Sequence, residues 1–222
     1  MKRGFTLIEL MITIGIMTII SGIVFYNFPK LNQTVLLNRA ARELTLALRE
    51  AQSRATAVAQ LPGASAGDKF PNNYGVHFKG GESTFFLFND KDPNPADSDP
   101  LGDLICKMAG GVSCDDPAVI ADENRCDGEC VKRFTFTHGV KIGNIVASWS
   151  GCVADPVNVL FYRPDPTTRI TNETGTPPCS IANPSEFVGP LKISISRANP
   201  SGAPETRTIN LWTTGQISIS NP

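Results

Sequence analysis

Among 222 residues only two are histidines, His77 and His138, and neither stands in an H-E-x-x-H arrangement. Both read as surface or packing residues within strand-like stretches, and no catalytic centre is inferred from them. An excess of one charge is also missing. Twenty Lys plus Arg against 21 Asp plus Glu leave a formal net charge of -1, which excludes a global basic field able to hold a nucleic-acid backbone. Aromatic residues make up 8%, charged residues 18% and hydrophobic residues 41%. That balance excludes both a disordered chain and a polytopic membrane protein, and leaves room for one core-bearing domain. Helix breakers are scarce at the start: of 19 glycines and 17 prolines, only Gly4, Gly15, Gly22 and Pro29 fall in the first 60 positions. The chain therefore has two unlike parts.

From Phe5 to Phe28 run 24 residues whose only charge is Glu9, preceded by Met1, Lys2, Arg3 and Gly4. At about 1.5 Å rise per residue such a helix is roughly 36 Å long, enough to cross a hydrocarbon layer of about 30 Å. Lys2 and Arg3 precede the span, and no comparable cluster follows until Arg39. The basic-side-inside bias places the N-terminus in the cytoplasm and Leu31 onward outside. A secretory signal fits poorly, because the apolar run is long and the nearest small-residue cleavage site, Ser21-Gly22-Ile23, is weak. A plain signal anchor explains everything except Glu9. A carboxylate inside an apolar span costs about 2.5 to 3.5 kcal/mol near the centre and less toward an end, so Glu9 needs a cationic partner.

Beyond Pro29, which tends to kink a helix, Leu37, Ala40, Ala41, Leu44, Ala47, Leu48, Ala51, Ala55 and Val58 recur every three or four residues. Arg39, Arg42, Glu43, Arg49, Glu50 and Arg54 occupy the complementary face. The pattern predicts an amphipathic helix continuing to about Ala59, stopped by Leu61-Pro62-Gly63.

Gly4-Phe5-Thr6-Leu7-Ile8-Glu9-Leu10, after a short basic leader and before an apolar run, resembles the class III signal of type IV prepilins and type II secretion pseudopilins. The resemblance implies a leader, residues 1–4, cut after Gly4 by a prepilin peptidase, and methylation of the new Phe5 amine. It also implies the cation that Glu9 lacks, the Phe5 amine of a neighbouring subunit when helices bundle in a filament. Weaker similarity continues through Ala41 to Ala59, Tyr74-Gly75-Val76-His77-Phe78, Arg207 to Leu211 and Thr214 to Ile217, which look like the minor pseudopilin family labelled GspH/FimT. The long acidic loop after Asn89 and the six cysteines depart from that pattern. The partners implied are other pilin or pseudopilin subunits, the prepilin peptidase and an inner-membrane assembly platform. The implied location is the bacterial inner membrane, single-pass with the C-terminal domain outside the cytoplasm, and then a periplasmic or surface filament.

Past residue 73 the apolar period becomes two. Phe134 and Phe136; Val157, Val159 and Phe161; Leu191, Ile193 and Ile195; Ile209 and Leu211; Ile217 and Ile219 alternate with residues pointing the other way, as half-buried strands do. Tyr74 to Phe78 and Thr84 to Phe88 flank Lys79-Gly80-Gly81-Glu82 as a hairpin; Asn199 to Pro204 and Thr214-Gly215 mark further turns, and Pro117 to Asn124 has room for a turn of helix. The expected fold is α+β and pilin-like: a long N-terminal transmembrane and amphipathic helix (residues 5–60, span 5–28) packed on an antiparallel sheet or small sandwich within an extracytoplasmic domain, residues 61–222.

Cys106, Cys114, Cys126, Cys130, Cys152 and Cys179 all follow the span, and an even count in an oxidising compartment favours disulfides. Proximity along the chain suggests Cys106 with Cys114, Cys126 with Cys130 and Cys152 with Cys179. The alternative, zinc on the first four, lacks the usual paired-knuckle spacing. Asp90, Asp92, Asn94, Asp97 and Asp99 supply hard oxygen ligands, so this segment raises calcium as a cofactor. The segment is not an EF-hand, because Pro95 and Leu101 stand where Gly and Glu belong, and a solvated loop with Pro-enforced turns accounts for it. Gly63-Ala64-Ser65-Ala66-Gly67 matches G-x-S-x-G but lies after a helix and before a strand, the reverse of the order that motif needs. The function expected is that of a non-enzymatic minor pilin or pseudopilin in a secretion pseudopilus or type IV pilus. Two rivals stand beside it. One is a DNA-binding pilin using Lys192, Arg197 and Arg207 on adjacent strands; the other is a membrane-anchored β-rich binding domain.

Overall fold

The computed structural model describes residues 5–57, 73–90, 106–107, 110–114, 116–122, 126, 128–148, 155–162, 168–172, 189–197 and 205–220; no side chain is described for residues 26–32. The chain divides into two compact units, Met1–Leu36 and Leu37–Pro222. One helix, α1 (Leu7–Thr56), supplies most of the first unit and enters the second. The fold is α+β, a long apolar N-terminal helix followed by a pilin-like assembly of helix and antiparallel sheets.

In the second unit the stripe read from the sequence forms the inner face of α1. Leu37, Ala41, Leu44, Leu48, Ala51 and Ala55 are completely buried, and Ala40 and Ala47 nearly so. Each fully buried Leu contributes about 1.5 to 3 kcal/mol relative to exposure. The helix ends at Thr56, with a last turn from Ala57 N to Ser53 O (2.9 Å); Val58 lies outside the described residues.

A five-stranded antiparallel sheet has the order β3-β2-β1-β5-β6, from β1 (Asn73–Phe78), β2 (Thr84–Asp90), β3 (Cys130–Thr135), β5 (Val157–Tyr162) and β6 (Thr168–Thr171). A four-stranded sheet has the order β4-β7-β8-β9, from β4 (Val140–Ala147), β7 (Leu191–Arg197), β8 (Glu205–Leu211) and β9 (Ile217–Ser220). The helix reaches both. Glu50 lies 3.8 Å from Lys132 on β3, Asn38 accepts from Arg207 Nε on β8 at 2.9 Å, and Gln52 donates to Gly215 O at 3.5 Å. The tip of the β1–β2 hairpin joins the sheets through paired bonds, Gly81 N to Ile142 O and Ile142 N to Glu82 O, both 2.8 Å.

Register assigns the faces of the larger sheet. Val76 opposes Leu87 and Val159, and Phe78 opposes Phe85 and Val157, so these residues share the face that carries Lys132 toward α1. The strands were expected to be half-buried, but β5 is buried along Val157–Phe161 on both faces, as are β1 and β2 throughout. The second face is covered by a small cap: Phe86, Phe88 and Leu160 pack against Cys106, Cys114 and Val119. Gly75 makes this possible, since a Cβ there would come within 2.8 Å of the Phe88 ring and 2.9 Å of Val159 O.

The cap is held by specific bonds. Cys106 is joined to Cys114 and Cys126 to Cys130. In this pairing the four cysteines of the zinc alternative are bonded to one another; Cys152 and Cys179 lie outside the described residues. The short helix α2 (Pro117–Ala121) is capped by Asp116, whose carboxylate accepts from Ala118 N at 2.8 Å. At its other end Arg133 donates to the carbonyls of Val119 (2.9 Å), Ile120 (2.6 Å) and Asp122, while its guanidinium lies over the Phe86 ring.

Two strands were not expected from the sequence. In β4 the register shifts between Ile142 and Ile145, where a bulge at Gly143-Asn144 interrupts the alternation, and β6 is four residues long. His138 is a correction of another kind: it occupies the turn Thr137–Val140 with φ 61° rather than a strand. His77 is buried, its Nδ1 2.8 Å from Asn158 Oδ1.

Two leucines two positions apart on α1 test the placement of the helix. Leu44→Ala is expected to lower the unfolding free energy by about 2 to 5 kcal/mol, and the exposed Leu46→Ala by less than about 0.5 kcal/mol. Denaturant titration of each detergent-purified variant checks this, and equal losses would contradict the assigned inner face.

Candidate functional site

The residues that the sequence singles out for processing and assembly lie at the start of α1. Thr6 precedes the helix, and Glu9 sits in its first turn. Glu9 N donates to Thr6 Oγ1 at 3.3 Å, and Leu10 N donates to Thr6 O at 3.2 Å, which makes Thr6 the N-cap and Glu9 the third helical residue. Thr-x-x-Glu is the capping-box spacing. Sequence reasoning treated Glu9 only as a charge seeking a cation and missed Thr6, although that spacing was there to be read. The cap meets one of the orphan amides that a helix start leaves, and Glu9 near the positive end of the helix dipole is favourably placed.

Leu7–Phe25 is long and apolar enough to cross a membrane, with mean hydropathy 2.3, and among the described residues none of it is buried. Phe5 is 77% exposed, and Leu7, Ile8, Met11, Ile14, Met17, Ile20 and Phe25 are exposed as well. So large a continuous apolar surface requires lipid or other apolar helices around it. Polar groups inside the segment are turned inward on the backbone: Thr13 Oγ1 donates to Leu10 O at 2.9 Å and Thr18 Oγ1 to Ile14 O at 2.8 Å. Internal satisfaction of this kind is what a hydrocarbon surrounding demands. Gly4 lies outside the described residues.

The other expected sites are dispersed or outside the described residues. Asp90, the last residue of β2, is buried, and its Oδ2 accepts from Asn73 Nδ2 at 3.4 Å. Asp92, Asn94, Asp97 and Asp99 lie outside the described residues, as does Ser65. Among the described residues no group of three His, Cys, Asp or Glu side chains is placed to hold a metal ion. The basic patch expected from Lys192, Arg197 and Arg207 does not form. Arg207 opposes Ile195 and Arg197 opposes Glu205, on the face that Leu191, Ile193 and Leu211 bury, whereas Lys192 opposes Asn210 on the other face. Strand parity sets Lys192 apart from Arg197 and Arg207, which share a face, and Glu205 stands directly across from Arg197.

Residues 1–25 match the prokaryotic N-terminal methylation motif. No curated protein and no solved structure matches the chain. Its N-terminus is thus type IV pilin-like or pseudopilin-like, a class whose members are generally structural subunits rather than enzymes, and the exposed apolar helix is consistent with an anchor in the inner membrane.

The cap makes a measurable prediction. Thr6→Ala is expected to cost the helix start about 0.5 to 2 kcal/mol. Amide hydrogen exchange in detergent micelles would then show faster exchange at Glu9 and Leu10 with protection beyond Thr13 unchanged, whereas wild-type protection at Glu9 would contradict the capping role.

Proposed function

We propose that this chain is a minor pilin or pseudopilin, stored in the inner membrane and assembled through α1 into a type II secretion pseudopilus or type IV pilus. A prepilin peptidase removes residues 1–4 by cleavage after Gly4 and methylates the Phe5 amine. The β-rich part, residues 61–222, is then displayed outside the cytoplasm. The observation that carries the reading is the methylation motif at residues 1–25 leading into an apolar span that is exposed among the described residues.

The proposed chemistry of assembly is charge pairing in an apolar medium. Glu9 is the only charge from Phe5 to Phe28, and it lies one helical turn from the terminus that cleavage would create. Cleavage turns Phe5 into a cationic amine beside the hydrocarbon. A carboxylate and an ammonium that are each costly alone in that medium stabilise each other when neighbouring helices meet, and the pair sets the axial stagger between subunits. The GspH/FimT-like subtype is supported by the patterns around Ala41 to Ala59, Tyr74 to Phe78 and Arg207 to Ile217. The DNA-binding alternative is weakened by the position of Lys192 on the opposite face from Arg197 and Arg207 and by Glu205 across from Arg197.

Glu9→Gln and Glu9→Ala are expected to leave cleavage and membrane insertion intact and to reduce the subunit recovered in sheared filaments at least tenfold. Incorporation at wild-type level by either variant would remove the pairing from the account.

A further inference from the structure

The second half of α1 presents an outer face that its own domain leaves uncovered. Arg39, Arg42, Leu46, Arg49 and Ser53 are exposed, with Leu46 at 64%, and Glu43 and Glu50 flank them half-buried. At 3.6 residues per turn, Arg39, Leu46 and Ser53 form a central line, Arg42 and Arg49 fall on one side of it, and Glu43 and Glu50 fall on the other. Each like-charged pair is seven residues apart, so the two charged flanks run alongside each other for two turns. Arg42, Arg49 and Glu43 make no ion pair with any described residue, whereas Glu50 accepts from Arg54 at 2.8 Å and lies 3.8 Å from Lys132. The inner face of the same segment is buried in its own unit, so among the described residues of this half of the helix it is the outer face that is open to a partner.

We infer that this face docks on the same face of a second copy of the chain, the two helices parallel, with Arg42 and Arg49 of one copy against Glu43 and Glu50 of the other and Leu46 between them. The inference rests on the reading of the chain as a membrane-anchored filament subunit, because anchoring through the N-terminal span in one membrane gives every copy the same helix direction. For parallel helices that face one another, the flank to the left of one seam meets the flank to the right of the other, so a helix with arginines on one flank and glutamates on the other is complementary to itself. An antiparallel pair would set like flank against like flank. Exposed ion pairs add little strength, but they select partner and register. The membrane segment supplies the apolar contact area, and the face between Arg39 and Ser53 chooses the neighbour.

Charge reversal in two differently tagged full-length copies tests this in membranes of cells containing a prepilin peptidase. An acidic copy carries Arg42→Glu and Arg49→Glu, giving it two negative flanks, and a basic copy carries Glu43→Arg and Glu50→Arg, giving it two positive flanks. Co-purification between two acidic or two basic copies is expected to fall severalfold below wild type, and between one acidic and one basic copy to return close to wild type. Recovery of like-charged copies at wild-type level overturns the inference, as does failure of mixed copies to recover. Wild-type copies that do not co-purify at all also overturn it. N-terminal mass, read on the same samples, separates this from failure of the filament-subunit reading, which would appear as an uncleaved leader. Because Glu50→Arg also removes contacts to Arg54 and Lys132, a basic copy with Glu43→Arg alone repeats the test with those contacts kept.

Discussion

An apolar helical surface from Leu7 to Phe25, exposed among the described residues of its own unit, is the constraint on which the rest depends. Water cannot solvate it without a large free-energy cost, so the segment must lie in lipid or among other apolar helices. The same helix then changes surroundings and, from Leu37 to Ala55, buries a stripe of leucines and alanines on two sheets. A helix that is apolar all round in one half and amphipathic in the other is suited to a subunit that is stored in a membrane and displays a folded domain outside it.

The second unit answers a different problem, since a sheet of five strands with β1, β2 and β5 buried on both faces needs cover on each side. One side is α1. The other is the cap built from the Cys106–Cys114 disulfide, α2 and Arg133, which closes over Phe86, Phe88 and Leu160. Arg133 has a double role there, satisfying the carbonyls at the end of α2 and stacking its guanidinium on Phe86. A small disulfide-bonded segment in this position substitutes covalent and polar constraints for the apolar mass that so few residues cannot provide.

Elements whose pattern is carried by consecutive residues were legible in the sequence. The inner stripe of α1, the β1–β2 hairpin at Gly80-Gly81, the tight turn at Thr214-Gly215 and the turn of helix after Pro117 all have local signals, and each is present. β4 was hidden because its bulge at Gly143-Asn144 breaks the two-residue period, and β6 because four residues are too few to show one. The burial of β5 on both faces depends on a cap drawn from residues 106–122, far from it in sequence, and no period in Val157–Tyr162 reports that cover. At the candidate site Glu9 stood out as a lone charge. Thr6 did not, because its part is a hydrogen bond to a backbone amide three residues on and its side chain is otherwise ordinary for the position. The separation of Lys192 from Arg197 and Arg207 was, by contrast, readable in principle from strand parity once β7 was in hand.

Intact mass with N-terminal sequencing of the chain, made in cells that contain a prepilin peptidase, tests the central claim most directly. The account predicts that Met1 to Gly4 are missing and that Phe5 carries one methyl group. A chain that begins at Met1, or one cut after Gly22 as a secretory signal would be, would contradict it and leave an anchored or secreted β domain in place of a filament subunit.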